Sequence, residues 1–319
     1  ARGAWENGWM AGDVRDGISF SHLDEELFDG AGVTKRELVD YLDAMADRLV
    51  PVLRDRPLST IRVRAGQAPF MQKNLPRYAP EWIPRVDVWA QASQRTVSYA
   101  LCNDRRTLLW FANQRAVEYH VTLSVGDDWL HPTYAVLDLD PPADGRFDQV
   151  VRVAGQARHI LREAGLDGAV KTSGSKGLHI YIPVHGESVE DVAAATRALA
   201  ARVERLDPEL ATTAFVREER GGRVFVDSTR AGGATVVAAY SPRVRPGVPV
   251  SFPVAWGDLD RVSPADFTIR TVPEILGGRD LWAQSMPPPR RMPPDLVAEG
   301  HGIPIARVAA MHAGKRRKR

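Results

Sequence analysis

Cysteine is nearly absent from this chain: Cys102 is the only one in 319 residues. That excludes an internal disulfide and fits a reducing cytoplasm. Cys102 sits in the apolar run 97–102 and reads as packing rather than as a nucleophile. Long apolar runs are missing too. No 18 consecutive apolar residues occur, which excludes an ordinary membrane-spanning helix, and the first residues lack the apolar core of a secretory signal. Charge of one sign is also lacking, with 42 basic against 40 acidic residues and a net charge of +2. Residues 315–319 are all basic, so the rest holds 37 basic against 40 acidic residues. A nucleic-acid partner therefore has to be argued from local patches. With 44% apolar residues, the chain can bury a large core.

What is there is concentrated between residues 134 and 179. The phrase Tyr-Ala-Val-Leu-Asp-Leu-Asp-Pro-Pro, ending at Pro142, reads as a buried strand that finishes in acid, since Pro141 cannot continue a central strand. Side chains alternate along a strand, so Asp138 and Asp140 share a face, roughly 6–7 Å apart at Cα. Two carboxylates that close stay ionised together only with a cation between them. Hard ions such as Mg²⁺ or Mn²⁺ take carboxylates plus substrate phosphates. The alternative is an Asp-Pro turn with both acids solvated.

The phrase Lys-Thr-Ser-Gly-Ser-Lys-Gly-Leu-His ends at His179. It reads as a strand end, then a turn of small residues at Ser173, Ser175 and Gly177 whose backbone and hydroxyls can approach a phosphate closely. Lys176 adds a point charge. The Walker spacing is absent. In the following strand, His179 and Tyr181 alternate with Leu178, Ile180 and Ile182, which places His179 on the open side with the acids. The alternative is a Gly/Ser hairpin turn with a surface lysine. A third piece, Val-Phe-Val-Asp, ends at Asp227 and repeats the strand-then-acid pattern, though strand-end turns also favour Asp. Ser228-Thr229-Arg230 and a turn at Ala231-Gly232-Gly233 follow. Another strand then leads to Arg243 and Arg245.

In this order the three phrases resemble the three motifs of the archaeo-eukaryotic primase superfamily. More closely, the chain resembles the polymerase domain of bacterial ligase D and its stand-alone primase-polymerase relatives. The likeness runs from about Ile18 to Leu281 and includes Asn-Asp-x-x-Thr-Leu-Leu-Trp at 103–110, Glu118-Tyr119-His120 and Tyr240-Ser241-x-Arg243. No ligase or nuclease phrase is present, so a stand-alone polymerase or an excised domain is expected, with a separate DNA ligase as a candidate partner.

The resemblance implies an α+β fold with a primase-polymerase core, an RRM-like half and a mixed sheet bearing the acids. It implies template-directed nucleotidyl transfer on gapped or primer–template DNA, in bacterial repair by excision or end joining, in the cytoplasm at the nucleoid. Asp138, Asp140 and Asp227 would hold two Mn²⁺ or Mg²⁺ ions. His120, Ser173, Ser175, Lys176, Gly177, His179, Arg220, Arg230 and Arg243 would hold the nucleoside triphosphate, with ribonucleotides preferred. De novo priming, a two-metal phosphodiesterase and an inactive gap-binding module remain as alternatives.

Residues 1–17 read as an arm packed on the body, and a strand is expected near Ile18. A capping box at Thr34-Lys35-Arg36-Glu37 predicts a helix to about Val52. Between residues 54 and 85 seven cations are interleaved with Phe70, Tyr78 and Trp82. Cations neutralise phosphates and aromatic faces stack on bases, although a solvated edge over core aromatics has the same composition. Arg62, Arg64, Phe70, Met71 and Lys73 are the DNA candidates here. By resemblance, Lys35 matches one lysine that holds a downstream 5′-phosphate, whereas Glu25 stands where the second would fall. Amphipathic helices are predicted at 147–164, stopped by Gly165, and from Ser188 to about Leu206. Shorter helices are expected near 106–116, 264–267 and 272–277. Residues 1–285 read as one domain; 286–319 read as a Pro-rich strap and a basic tail.

Overall fold

The computed structural model describes residues 13–90, 94–231 and 234–305. The expected arm through residue 12, the Gly232-Gly233 part of the turn and the basic tail lie outside those residues. Strands β1 (Val14–Arg15) and β2 (Ile18–Ser19) pair antiparallel. Helix α1 (Lys35–Ala44) starts on the predicted box: the Thr34 hydroxyl accepts from Glu37 N–H, and the Glu37 carboxylate accepts from Thr34 N–H. The single helix expected to Val52 is interrupted at Met45, whose carbonyl takes both Arg48 and Leu49 N–H, tightening the turn before α2 (Ala46–Leu53).

The chain continues through β3 (Leu58–Arg64), β4 (Gln67–Gln72), β5 (Arg85–Ala90), β6 (Arg95–Ala100), α3 (Arg105–Asn113) and β7 (Ala116–Thr122). Next come β8 (Tyr134–Asp140), α4 (Phe147–Glu163), β9 (Ala169–Thr172), β10 (Leu178–Pro183) and α5 (Val189–Leu206). The described chain ends with β11 (Ala211–Thr212), β12 (Val224–Asp227), β13 (Thr235–Val237), β14 (Pro253–Val254), α6 (Val272–Leu276), α7 (Leu281–Ser285) and α8 (Pro294–His301).

Two sheets of six strands each form among the described residues. One runs β13-β7-β3-β6-β5 with β4 added on β3; the other runs β11-β12-β8-β10-β9-β14. In the second, only β11 and β12 are parallel. All of β10 is buried, so this sheet is covered on both faces, which is why its strands read as near-continuous apolar runs. Helices α4 and α5, packed against each other, cover one of those faces through Val150, Val153, Ala157, Val192, Ala195 and Leu199. Cys102 is fully buried, as expected of a packing residue.

Helix α8 was not foreseen in the strap. It lies along α5, held by Arg202 to Glu299 at 2.7 Å and to Asp295 at 3.1 Å. A Cβ on Gly300 would fall 1.8 Å from Ala194 O, so only glycine permits so close an approach of the two helices.

Candidate active site

Register builds the site. Across the second sheet Asp227 pairs with Asp138, Asp138 with His179, and His179 with Lys171. Residues paired across adjacent strands point to the same face. A single row therefore crosses β12, β8, β10 and β9 carrying carboxylate, carboxylate, imidazole and amine. Asp140, two residues beyond Asp138, shares that face.

Arg230, just after β12, closes on the acids. Its Nη2 lies 2.7 Å from Asp138 Oδ2 and 3.3 Å from Asp227 Oδ2. His179 Nε2 faces Asp138 Oδ1 at 3.3 Å, too skewed for a hydrogen bond, so Oδ1 is buried without a donor. Burial opposes ionisation of Asp138, but His179 and Arg230 beside it outweigh burial and hold its carboxyl well below the usual range. His179 is itself pushed down to about 4 by burial and by Lys171, so at neutral pH the positive charge comes from Arg230. Asp140 is pushed up to about 6 by burial and by the Asp138 carboxylate. One guanidinium thus serves a group of three acids that needs more positive charge than it supplies.

Asp138 Oδ1 is the orphaned buried oxygen expected where a cation belongs. Among the described residues no three acidic, imidazole or thiolate groups form a ready-made metal cage. The set suits a hard ion whose shell is completed by substrate phosphate and water.

Beside the row lies a cavity of about 330 Å³, lined by His120, Asp138, Asp140, Ser173, Ser175, His179, Arg230, Arg243 and Arg245 among others. The small-residue turn forms one wall. Ser173 Oγ accepts from Ser175 and Gly177 N–H at 3.2 and 3.1 Å. A Cβ on Gly177 would meet Leu139 O at 2.3 Å, so glycine is what lets this turn lie against the end of β8. Glu118 braces the neighbouring wall. It accepts Val244 N–H at 2.8 Å, meets His120 Nε2 at 2.8 Å and forms an ion pair with Arg243, whose Nε lies 3.1 Å away, and Arg243 Nη1 donates to Ser173 O. Burial would raise Glu118, but His120 and Arg243 hold it down at about 2.

Two expected triphosphate residues stand elsewhere. Lys176 is exposed and donates to Ala143 O at 2.7 Å, outside the lining of this cavity. Arg220 donates to the carbonyls of Ala214 and Phe215 and lies over the Phe225 ring at 3.8 Å. It lines a second cavity of about 910 Å³ with Arg197, Arg217, Phe215 and Ile303, which meets the first at Asp140 and Arg230.

The candidate DNA residues divide as well. Arg64, Met71 and Lys73 are exposed, and Met71 also edges the smaller cavity. Phe70 lies beneath the guanidinium groups of both Arg62 and Arg64. Arg62 is buried, bonded to Gln114 O, Gln72 and Tyr78. Lys35 is buried, its Nζ donating to Ser21 O at 2.7 Å and Asn113 Oδ1 at 2.8 Å. Glu25 pairs with Arg115. The sequence reading missed Lys171. Its signal was a lone lysine inside the apolar strand Ala-Val-Lys-Thr, where an unpaired charge is costly.

A cavity lined by carboxylates and guanidinium groups together suits an enzyme that brings a metal-bound triphosphate to a hydroxyl, as the primase-polymerase nucleotidyltransferases do. Comparison with known proteins makes this specific. The family described as LigD, primase-polymerase domain, matches residues 34–282. The bifunctional non-homologous end joining protein LigD of Bacillus subtilis is 32% identical over 265 residues, which is 81% of this chain and 42% of that protein. The multifunctional LigD of Mycobacterium tuberculosis is 34% identical over 256 residues, 76% of this chain and 33% of that protein. The solved polymerase domain from Mycobacterium tuberculosis Ligase D, in complex with DNA, superposes with a TM-score of 0.77 at 29% identity, covering 85% of this chain and 99% of that one. The chain belongs to the LigD primase-polymerase domain family, a family of DNA-directed nucleotidyltransferases. It spans between a third and about two fifths of the length of these two curated relatives. No helix among the described residues is long and apolar enough to cross a membrane.

Proposed function

We propose that the chain carries out template-directed nucleotidyl transfer onto a DNA 3′-hydroxyl, filling short gaps during end joining or excision repair, with ribonucleotides preferred. The observation that carries this reading is the row of Asp227, Asp138 and His179 set beside the Ser173–Arg243 cavity. Asp138, Asp140 and Asp227 would hold two divalent ions, Mn²⁺ or Mg²⁺. When bound, such ions lower the pKa of the attacking hydroxyl and stabilise the attacking and leaving oxygens.

The protein's own part is positioning and charge. The small-residue turn, braced by its own N–H groups on Ser173 Oγ, offers the Ser173 and Ser175 hydroxyls to the triphosphate. Arg243, held between Glu118 and Ser173, and Arg245 supply positive charge to it. Arg230 occupies part of the acids' charge and has to share them with a cation. The larger cavity meets the smaller one at Asp140 and takes the strand whose 3′-hydroxyl attacks. Its Arg197, Arg217 and Arg220 face the phosphates, and the half-buried Phe215 is the ring available to a base.

The test is extension of a primer on a duplex with a one-nucleotide gap, with single nucleotides and Mn²⁺. Incorporation that follows the template base is expected, with ATP favoured over dATP. Equal incorporation regardless of template would overturn the polymerase reading, and clear preference for dATP would overturn the sugar preference alone. Degradation of labelled DNA without nucleotide would favour a phosphodiesterase.

A further inference from the structure

Lys171 ends the catalytic row, and nothing in the reading above gives it work. It is fully buried on β9 with no carboxylate in contact. Its Nζ lies 2.9 Å from His179 Nδ1 and 2.6 Å from Ser251 Oγ, with the Tyr181 ring 5.5 Å away. Ser251 Oγ donates its own proton to Thr172 O at 2.7 Å, so it accepts from Lys171. A buried amine whose partners are all neutral is costly, and an apolar side chain of the same length would fill the space at less cost. What an apolar side chain would not do is occupy Nδ1 of His179.

The other ring nitrogen is constrained independently. Nε2 faces Asp138 Oδ1 at 3.3 Å, and an ionised carboxylate oxygen only accepts. A lone pair on Nε2 would be repelled there, so Nε2 carries hydrogen. Nδ1 then has its lone pair free for the Lys171 donor. The hydrogen bond at Nδ1 fixes the ring plane, and the Asp138 charge facing Nε2, though not aligned for a hydrogen bond, favours the same tautomer.

We propose that Lys171 is a positioning residue for the nucleotidyl-transfer site: by donating to Nδ1 it locks the His179 ring so that Nε2–H is presented to Asp138 and to the triphosphate cavity. Ser251 orients Lys171 in turn, which ties the loop before β14 to the chemistry through Thr172 O, Ser251, Lys171, His179 and Asp138. This inference rests on the proposed active site, but its primary readout does not.

The experiment is ¹⁵N NMR of histidine ring nitrogens in the metal-free protein, wild type and Lys171→Met, with His179 assigned by His179→Gln. The expected wild-type spectrum has His179 protonated at Nε2 with Nδ1 as acceptor. In Lys171→Met the ring shows mixed tautomers, and kcat/KM for nucleotide addition falls about 10- to 100-fold while thermal stability is kept or improved. A wild-type ring protonated at Nδ1 and bare at Nε2 overturns the proposal. So does a Lys171→Met protein with an unchanged His179 spectrum or unchanged kcat/KM. If Lys171→Met does not fold, the wild-type spectrum and Ser251→Ala decide: the alanine variant is expected to loosen the tautomer partly, and no change in it counts against the proposal. Should wild type show no nucleotide addition at all, the active-site reading fails while the tautomer result still stands on its own.

Discussion

Lys35 and Lys171 are both withdrawn from water, at 2% and 0% exposure, yet they sit in different kinds of surroundings. Lys35 is the first residue of α1, and its amine reaches a backbone carbonyl and an asparagine oxygen from two other segments. It fastens β2 and α3 to α1. Lys171 reaches a hydroxyl and an imidazole, and the imidazole leads to an acid. From sequence, Lys35 had the stronger functional claim, through its match to a phosphate-binding lysine. In the fold its donors are spent on the chain itself. The contrast teaches that a lysine's role follows from what its amine faces, which is set by tertiary pairing and not by the local phrase.

The strongest way to break the comparison is to remove the acids at the far end of the Lys171 row. Asp138→Ala combined with Asp227→Ala should lower nucleotide addition by at least about 10³-fold with DNA binding nearly intact. Addition at the wild-type rate, measured on a gapped duplex, would detach the row from the chemistry. A smaller effect is expected from Gly177→Ala, whose new methyl would be forced onto Leu139 O and would lift the turn off β8. Misplacement of that order should cost roughly 10- to 100-fold in kcat/KM.

Lys35→Met should separate the two lysines cleanly. It should leave kcat and KM near wild type and act on stability alone. The Lys35 amine is pushed down to about 8 by burial and by Arg115. A depressed lysine weakens the fold while it is charged, and that penalty is relieved as pH rises from about 8 toward the unfolded value near 10.4. Urea melts at pH 7.5 and 9.5 should therefore show a gain for wild type that Lys35→Met lacks; parallel curves would mean that Lys35 carries no such penalty. The smallest effect is expected at Glu118. Glu118→Gln should cost about 1–3 kcal/mol and raise KM for nucleotide more than it lowers kcat. Because its folded pKa of about 2 lies below the usual 4.5, its contribution is present above pH 4.5 and lost as pH falls toward 2, which acid titration of wild type against the variant would reveal.

Much of this was legible in the chain. The strand-then-acid phrases at Asp138, Asp140 and Asp227, the small-residue turn at Ser173 and the capping box at Thr34 depend on local pattern, and the structure keeps them. Helix α4 ends one residue before the expected limit, and Gly165 follows at φ +69°. What the sequence hid depends on pairing between distant segments. Nothing local says that His179 and Asp227 flank Asp138 in register, that Arg220 turns toward the larger cavity, or that Lys35 meets Asn113 78 residues away. Helix α8 was hidden for another reason: its proline-rich approach reads as a strap, and Pro294 at its first turn is as compatible with a helix start as with a loop.

The central claim is that an open group of acids, underserved by Arg230, is completed by a cation and a triphosphate together. Mn²⁺ titration followed by electron paramagnetic resonance, with and without a non-hydrolysable ATP analogue, tests it most directly. The account predicts that the analogue tightens Mn²⁺ binding about 10-fold or more, that Mn²⁺ tightens the analogue by the same factor, and that Asp138→Asn abolishes both effects. Mn²⁺ binding indifferent to the analogue and to Asp138→Asn would contradict it.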